Sequence, residues 1–441
     1  MNRRHLRINL TAVMCLFAGL YPIIPRYFDI FGISAVNVLT LGCFVIGGFL
    51  ARNQKTFTQG QRTNKFSEIA AVFYIVVILI SRLMHEEYIE FLWNAMAYLG
   101  MGILIYHSVT TRDRFMGMVD AILKASFIVS IFGIIEGFLS INIFTLLFNT
   151  SGVELTYNDL RFGARRILGF GTQTITYCAY IMFVMSFCFY RIVNENSKRK
   201  KKRLMILYLL LAINAVLTLS RSSIVAIILC QLLLYMGLGT IKFFKTVSGV
   251  IIGLVIIGVI PTVMGHDSII VNAFQSLIAL FNSNVAQNIS GAFGSDNAGG
   301  IGHRLQLYAW ILSLMPGHWL LGFGRQGVQN FNYHYDTNMW GIALYKRSIE
   351  VEYLATLYAY GVIGLLAEII AMVSIIMQSI RLRHLRSNWE TRIGFGYIMM
   401  CTMVTYALLM FAVSRNTEEG IFFLMVMMFF AYKHNLIGKT E

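Results

Sequence analysis

Apolar stretches close to twenty residues long recur from one end of this 441-residue chain to the other. Each is long enough to cross the roughly 30 Å of hydrocarbon in a bilayer as a helix. Backbone in hydrocarbon has to satisfy its own hydrogen bonds, so the helix is the economical solution. Composition agrees. The chain is 57% hydrophobic and 13% charged, against about 25% charged in a soluble domain. The pattern predicts an all-α polytopic membrane protein with about 12 transmembrane helices and one large extracytoplasmic loop that contains short amphipathic helices. The expected spans lie near 8–24, 32–50, 69–84, 88–107, 117–140, 170–192, 204–219, 222–240, 247–264, 351–378, 392–413 and 419–433. The domains that follow are 1–265 (spans one to nine), 266–350 (the loop) and 351–441 (spans ten to twelve and a tail).

The net charge of +15 would suit a nucleic-acid binder, but its distribution points elsewhere. Lys and Arg concentrate at alternate span ends, with 16 of the 36 in Arg3–Arg7, Arg52–Lys65, the run from Lys198 to Arg203, and Arg381–Arg386. That is positive-inside topology. It puts both termini in the cytoplasm of a bacterial inner membrane and leaves no nucleic-acid patch. The basic start followed by an apolar run resembles a signal peptide, but no small-x-small site follows, and it reads as a retained first helix. The six cysteines lie inside expected spans and read as small apolar residues. The nine histidines show no ligand spacing, so neither a metal nor another cofactor is expected. GFGRQG carries glycines without a preceding strand, which excludes a dinucleotide loop.

Charged residues within or beside spans are the informative exceptions. Asp120 and Lys124 stand four apart and suggest an interfacial pair. Glu136 suits either a functional group or a structural hydrogen bond. Glu368 reads first as a buried, paired carboxyl. The outer side, otherwise poor in positive charge, gathers Arg165, Arg166, Arg221, Arg304, Arg325, Lys346 and Arg347. Arginine's planar fork grips phosphate oxygens in bidentate fashion and stays charged. Tyr308, Trp310, Trp319, Tyr333, Tyr335 and Trp340 crowd the same loop. They suit either sugar stacking or an interfacial aromatic belt. A helix is expected over Leu305–Leu314, stopped by Pro316, with Gly322 and Gly324 turning the chain before Arg325.

Four segments carry a resemblance: Arg166-Ile-Leu-Gly169 before span six, Thr218-Leu-Ser-Arg221-Ser-Ser at the turn before span eight, HRLQLYAW (303–310) followed by PGHWLLGFG (316–324), and EVEYLATLYAYGVIGLL (350–366). Their order and common outer location resemble the O-antigen ligase and O-antigen polymerase (Wzy-type) superfamily of bacterial surface-polysaccharide enzymes, over about residues 160–370. The resemblance implies a glycosyltransferase that uses an undecaprenyl-diphosphate-linked oligosaccharide. Membrane lipids and a chain-length regulator or flippase would be its partners. Arg166, Arg221 and Arg304 would bind the diphosphate, with Arg165, Arg325 and Tyr308 as accessories. Ligases of this family are expected to carry a histidine before the last motif. Here that place reads Ser348-Ile-Glu350-Val-Glu352-Tyr353, which favours a polymerase. Glu350 and Glu352 are the candidate bases, and pairing with Lys346 or Arg347 is their structural alternative. A ligase or a lipid-linked oligosaccharide transporter are the competing functions.

Overall fold

The structure, a computed structural model, describes residues 9–30, 32–52, 65–148, 160–161, 164–239, 301–331, 333–336, 343–346, 349, 351–415 and 418–437. The N-terminal half contains α1 (Leu10–Leu20), α2 (Ala35–Arg52), α3 (Phe66–Met84), α4 (Tyr88–Ser108), α5 (Arg112–Leu139) and the short α6 (Ile143–Leu147). Then come α7 (Thr174–Asn194), α8 (Lys198–Leu217) and α9 (Arg221–Met236). The C-terminal part contains α10 (Ile301–Leu314), α11 (Gly324–Gln329), α12 (Glu352–Leu382), α13 (Phe395–Leu409) and α14 (Glu419–Asn435). Three small antiparallel hairpins sit in connections: β1 (Asp29–Ile30) with β2 (Ile33–Ser34), β3 (Leu160–Arg161) with β4 (Ala164–Arg165), and β5 (Tyr333–Asp336) with β6 (Ala343–Lys346).

Six described helices, α2, α3, α4, α5, α7 and α12, are long and apolar enough to cross a membrane. α1, α9 and α13 are shorter apolar helices. The expected span at 247–264 lies outside the described residues, as does the loop up to residue 300. Helix α10 falls where the sequence predicts it, and Gly322 and Gly324 both adopt positive φ.

Helix α7 is the core of the bundle. Tyr177, Tyr180, Phe183, Phe187 and Tyr190 are all buried in it, and it packs against α5, α8, α9, α13 and α14. α2 is the opposite case, with Val45 and Phe49 58% and 70% exposed. In water such a surface is an aggregation liability. Facing lipid tails it costs nothing, and the chain is an integral membrane protein.

Polar contacts between helices fix the register. Arg191 at the end of α7 grips Asp120 on α5 through two hydrogen bonds of 2.8 and 3.1 Å. The expected Asp120–Lys124 pair is thus replaced by a bond between helices. Glu136 takes the structural role: it accepts the main-chain N–H groups of Leu168 and Gly169, both at 2.9 Å. The Arg166–Gly169 motif is held in place by that carboxylate. At the other end of the bundle Glu390 accepts from Tyr190, Tyr432, Ser387 N–H and Phe395 N–H at 2.6 to 2.9 Å.

Helix α12 departs most from its expected form. The sequence predicts one unbroken span, but Gly361 interrupts it with φ 66° and ψ −167°, a region open essentially to glycine alone. A break in a helix leaves carbonyl and N–H groups without partners. Here the turn 316–324 supplies them. Phe323 N–H donates to Tyr358 C=O at 2.8 Å, and Val362 N–H donates to Trp319 C=O at 2.7 Å. The approach is close: a Cβ on Gly361 would stand 2.3 Å from Leu320 main chain, and one on Gly322 2.5 Å from Ala359. PGHWLLGFG and YAYG, far apart in sequence, are two halves of one joint.

Candidate active site

A cavity of about 430 Å³ opens at the end of the bundle where α3 finishes and α12 begins. Its walls come from α2, α3, α4, α11, α12 and α14 and from the connections that follow α1 and α13. Its lower part is apolar, with Ile75, Ile78, Met372, Ile375, Val426 and Met427. Its upper part is charged, lined by Arg26, Arg82, Arg325 and Arg415 and by Glu90, Glu352, Glu368 and Glu419. Tyr74, Trp93, Tyr98 and Tyr360 complete it. A π-helical turn at Ala95–Gly100 in α4 accommodates an extra residue in the wall, and that turn carries Ala97 and Tyr98.

Three of the four arginines are neutralised. Arg26 donates to Glu419, which also accepts from the Tyr98 hydroxyl. Arg82 donates to Glu87 at 2.9 Å and lies 3.8 Å from Glu90. Glu87 in turn accepts Gln326 N–H at 2.8 Å, which ties α11 to the α3–α4 turn. Arg415 donates to Glu368 at 2.6 Å and to the Tyr74 hydroxyl at 3.4 Å, and stacks 4.8 Å over Phe422. Arg325 makes no hydrogen bond or ion pair among the described residues, although it lines the same cavity. Burial works against its charge, but Tyr360, Glu419 and Glu352 outweigh that cost and lift its pKa above the usual arginine value.

Glu352 is the other unusual group. It is 8% exposed at the start of α12. Its Oε2 accepts the main-chain N–H of Arg415. Its Oε1 lies 3.9 Å from Arg415 Nη1, too far for a hydrogen bond, and accepts none among the described residues. Glu352 and Glu368 are sixteen positions apart, about 24 Å on an unbroken helix. That is beyond the span of one arginine. Only the break at Gly361 lets Arg415 meet both.

The expected site residues divide. Arg325 and Glu352 share this cavity. Arg166 is buried, donates to Thr218 C=O at 3.0 Å, and stands near enough to Arg221 to repel it. The structure therefore brings Arg166 and Arg221 together, but neither lines the cavity. Arg304 occupies the first turns of α10 and Arg165 lies in β4, with both side chains outside the described residues. Glu350 is also outside them. Tyr308 packs on a small apolar cluster with Leu307, Ile311 and Met315 rather than on the cavity. Sequence reasoning missed Arg26, Arg82, Arg415 and Glu419. The signal was available: each is a charge at or near the end of an apolar run, where charge is costly without a partner.

Residues 206–369 match a family model described as O-antigen ligase. The segment is similar to that family over 164 of the 441 residues. It begins within α8 and ends one residue beyond Glu368, so it contains Arg221, Arg304, Arg325 and Glu352. The match is consistent with the O-antigen polymerase and ligase superfamily, whose members are glycosyltransferase-like enzymes that handle lipid-linked glycans. No curated protein matches the chain.

Proposed function

We propose that this protein polymerises undecaprenyl-diphosphate-linked oligosaccharide repeat units into a surface polysaccharide at the outer face of the bacterial cytoplasmic membrane. In this reading the chain crosses the membrane twelve times, with both termini in the cytoplasm. The charged end of the cavity faces out. The observation that carries the reading is the presence in one cavity of a carboxylate oxygen that accepts no hydrogen bond and an arginine that makes no ion pair, both among the described residues: Glu352 Oε1 and Arg325.

The chemistry follows from that pair. The acceptor hydroxyl gives its proton to Glu352, and its oxygen bonds to the donor's anomeric carbon. The bond from that carbon to the diphosphate breaks, with inversion, and the lipid diphosphate leaves with the electron pair. The leaving group is attached directly to the reacting carbon, so the cation that stabilises it has to stand near the base. Arg325 meets that condition. A fixed cation aimed at developing charge works best in a cavity shielded from water.

The acceptor's own diphosphate lies one repeat unit away from its reacting hydroxyl. Arg166 and Arg221, with Arg304, suit that second group, and Arg165 and Tyr308 are accessories. Two separate arginine groups favour a polymerase, in which both partners carry a diphosphate. Ligase-type transfer to another lipid is the second reading, and the lack of a histidine in Ser348-Ile-Glu350-Val-Glu352-Tyr353 argues against it.

Purified protein in proteoliposomes, given lipid-linked repeat units extracted from cells that lack it, is expected to yield a ladder of products. A single transfer step would point to the ligase. Glu352→Gln is expected to lower kcat about 10²–10⁴-fold, the usual worth of a positioned base. Normal chain length with Glu350→Gln, Glu352→Gln and the double variant would reject the carboxylate mechanism.

A further inference from the structure

Arg415 is held by more contacts than any other cation in the cavity, yet it has no charge to spare for a ligand. Its main-chain N–H fixes Glu352 Oε2, and its guanidinium is turned away to Glu368 at 2.6 Å, leaving Nη1 3.9 Å from Glu352 Oε1. The choice between the two carboxylates is a competition. A charged guanidinium this close to Glu352 would close the remaining gap if nothing else held it, since a charge-assisted hydrogen bond is roughly twice as strong as a neutral one. It would then cover the one oxygen of Glu352 that is open to a substrate proton. Glu368 is 2% exposed and has no other hydrogen-bond partner among the described residues.

We propose that Glu368 is a positioning residue of the transfer reaction: it engages Arg415 and so keeps Glu352 Oε1 open as the proton acceptor. This rests on the reading of Glu352 as the base. The break at Gly361 is what places the two carboxylates on either side of one guanidinium. The device differs from a relay, because Glu368 neither gives nor takes a proton. It differs from a structural ion pair, because its loss changes the basicity of a neighbour.

The groups that face Glu352 are Arg415 from the α13–α14 connection, Glu368 from its own helix, Arg325 from α11, Tyr74 from α3 and Tyr406 from α13, with Tyr353 and Tyr360 on the same half-helix. The two arginines and Glu368 set the charge that Glu352 feels. With Glu368→Gln, Arg415 moves onto Glu352. An opposite charge in contact lowers a carboxyl pKa by about 1–3 units. The acid limb of the kcat–pH profile is therefore expected to move down by about one unit, with kcat at least ten-fold lower and KM within about three-fold of the original. Arg415→Gln, which keeps the main-chain N–H, is expected to move the limb upward. The Glu368→Gln/Arg415→Gln pair is expected to restore the limb toward its original position.

The assay uses the whole protein in proteoliposomes with extracted lipid-linked repeat units, after size-exclusion and thermal-melting checks on each variant. If Glu368→Gln does not purify folded, the upward shift in Arg415→Gln still tests the idea. An unmoved acid limb in either variant, while Glu352→Gln is inactive, overturns the positioning role alone. Full activity in Glu352→Gln overturns the base assignment beneath it.

Discussion

Arg325 and Glu352 show how far single residues can be read from a sequence. Both stood out as charges beside apolar runs, and both belong to one chamber. Their partners were harder to foresee. Arg415 lies 63 positions from Glu352 and contacts it through main-chain N–H, a contact for which side-chain chemistry gives no sign. Arg166 and Arg221 were each legible as candidate diphosphate arginines along with Arg304, and the structure sets the two side by side but away from the cavity. Arg325 is the cavity arginine whose removal leaves no buried carboxylate without its partner. Arg325→Ala should therefore leave thermal stability nearly unchanged while lowering kcat/KM for the lipid-linked donor about 10²–10³-fold, the usual effect of deleting one donor to a developing anion. Arg325→Lys keeps the charge but loses the fork, and should recover only part of that loss. Equal losses of activity and melting temperature in Arg325→Ala would assign it a structural role instead.

Among the elements, α10 and the turn after it were readable because proline and glycine punctuate the chain at 316, 322 and 324. The break in α12 was not. YAYGVIGLL is a run of good membrane-helix residues, and a lone glycine in such a run is ordinary. What breaks the helix is tertiary: the turn from residue 316 to 324 brings its own donors and acceptors to the orphaned groups at Tyr358 and Val362. Gly361→Ala tests that joint. Its backbone alone would cost about 1–3 kcal/mol in that φ/ψ region, before the overlap with Leu320. The expected result is a lower melting temperature together with loss of transfer, because Glu352 would no longer reach Arg415. Gly364→Ala is not an equivalent control, since a Cβ there meets Tyr360 of the same helix at 2.2 Å.

At the scale of the molecule, the class was plain from hydropathy alone, because lipid imposes a length on every span that water does not impose on soluble helices. The walls of the chamber were not plain, since they join the first helices to the last. Arg26 follows α1, and its partner Glu419 opens α14. Arg26 is 46% and Glu419 21% exposed at the side chain, so this pair lies between the surface and buried cases. Arg26→Gln should destabilise by about 1–3 kcal/mol. The double variant Arg26→Gln/Glu419→Gln should recover part of that in a melting-temperature cycle. An additive cycle would mean that the two ends of the chain are not coupled there.

The matched domain ends at residue 369, whereas Arg26, Arg82, Arg415 and Glu419 all fall outside it. A homologue aligned over that segment alone would thus disclose only part of the chamber's wall. Grafting 206–369 onto another scaffold would carry over Glu352, Arg325 and Glu368 but leave behind Arg415, which contacts both carboxylates. Portable chemistry in this protein begins with the full circle of helices.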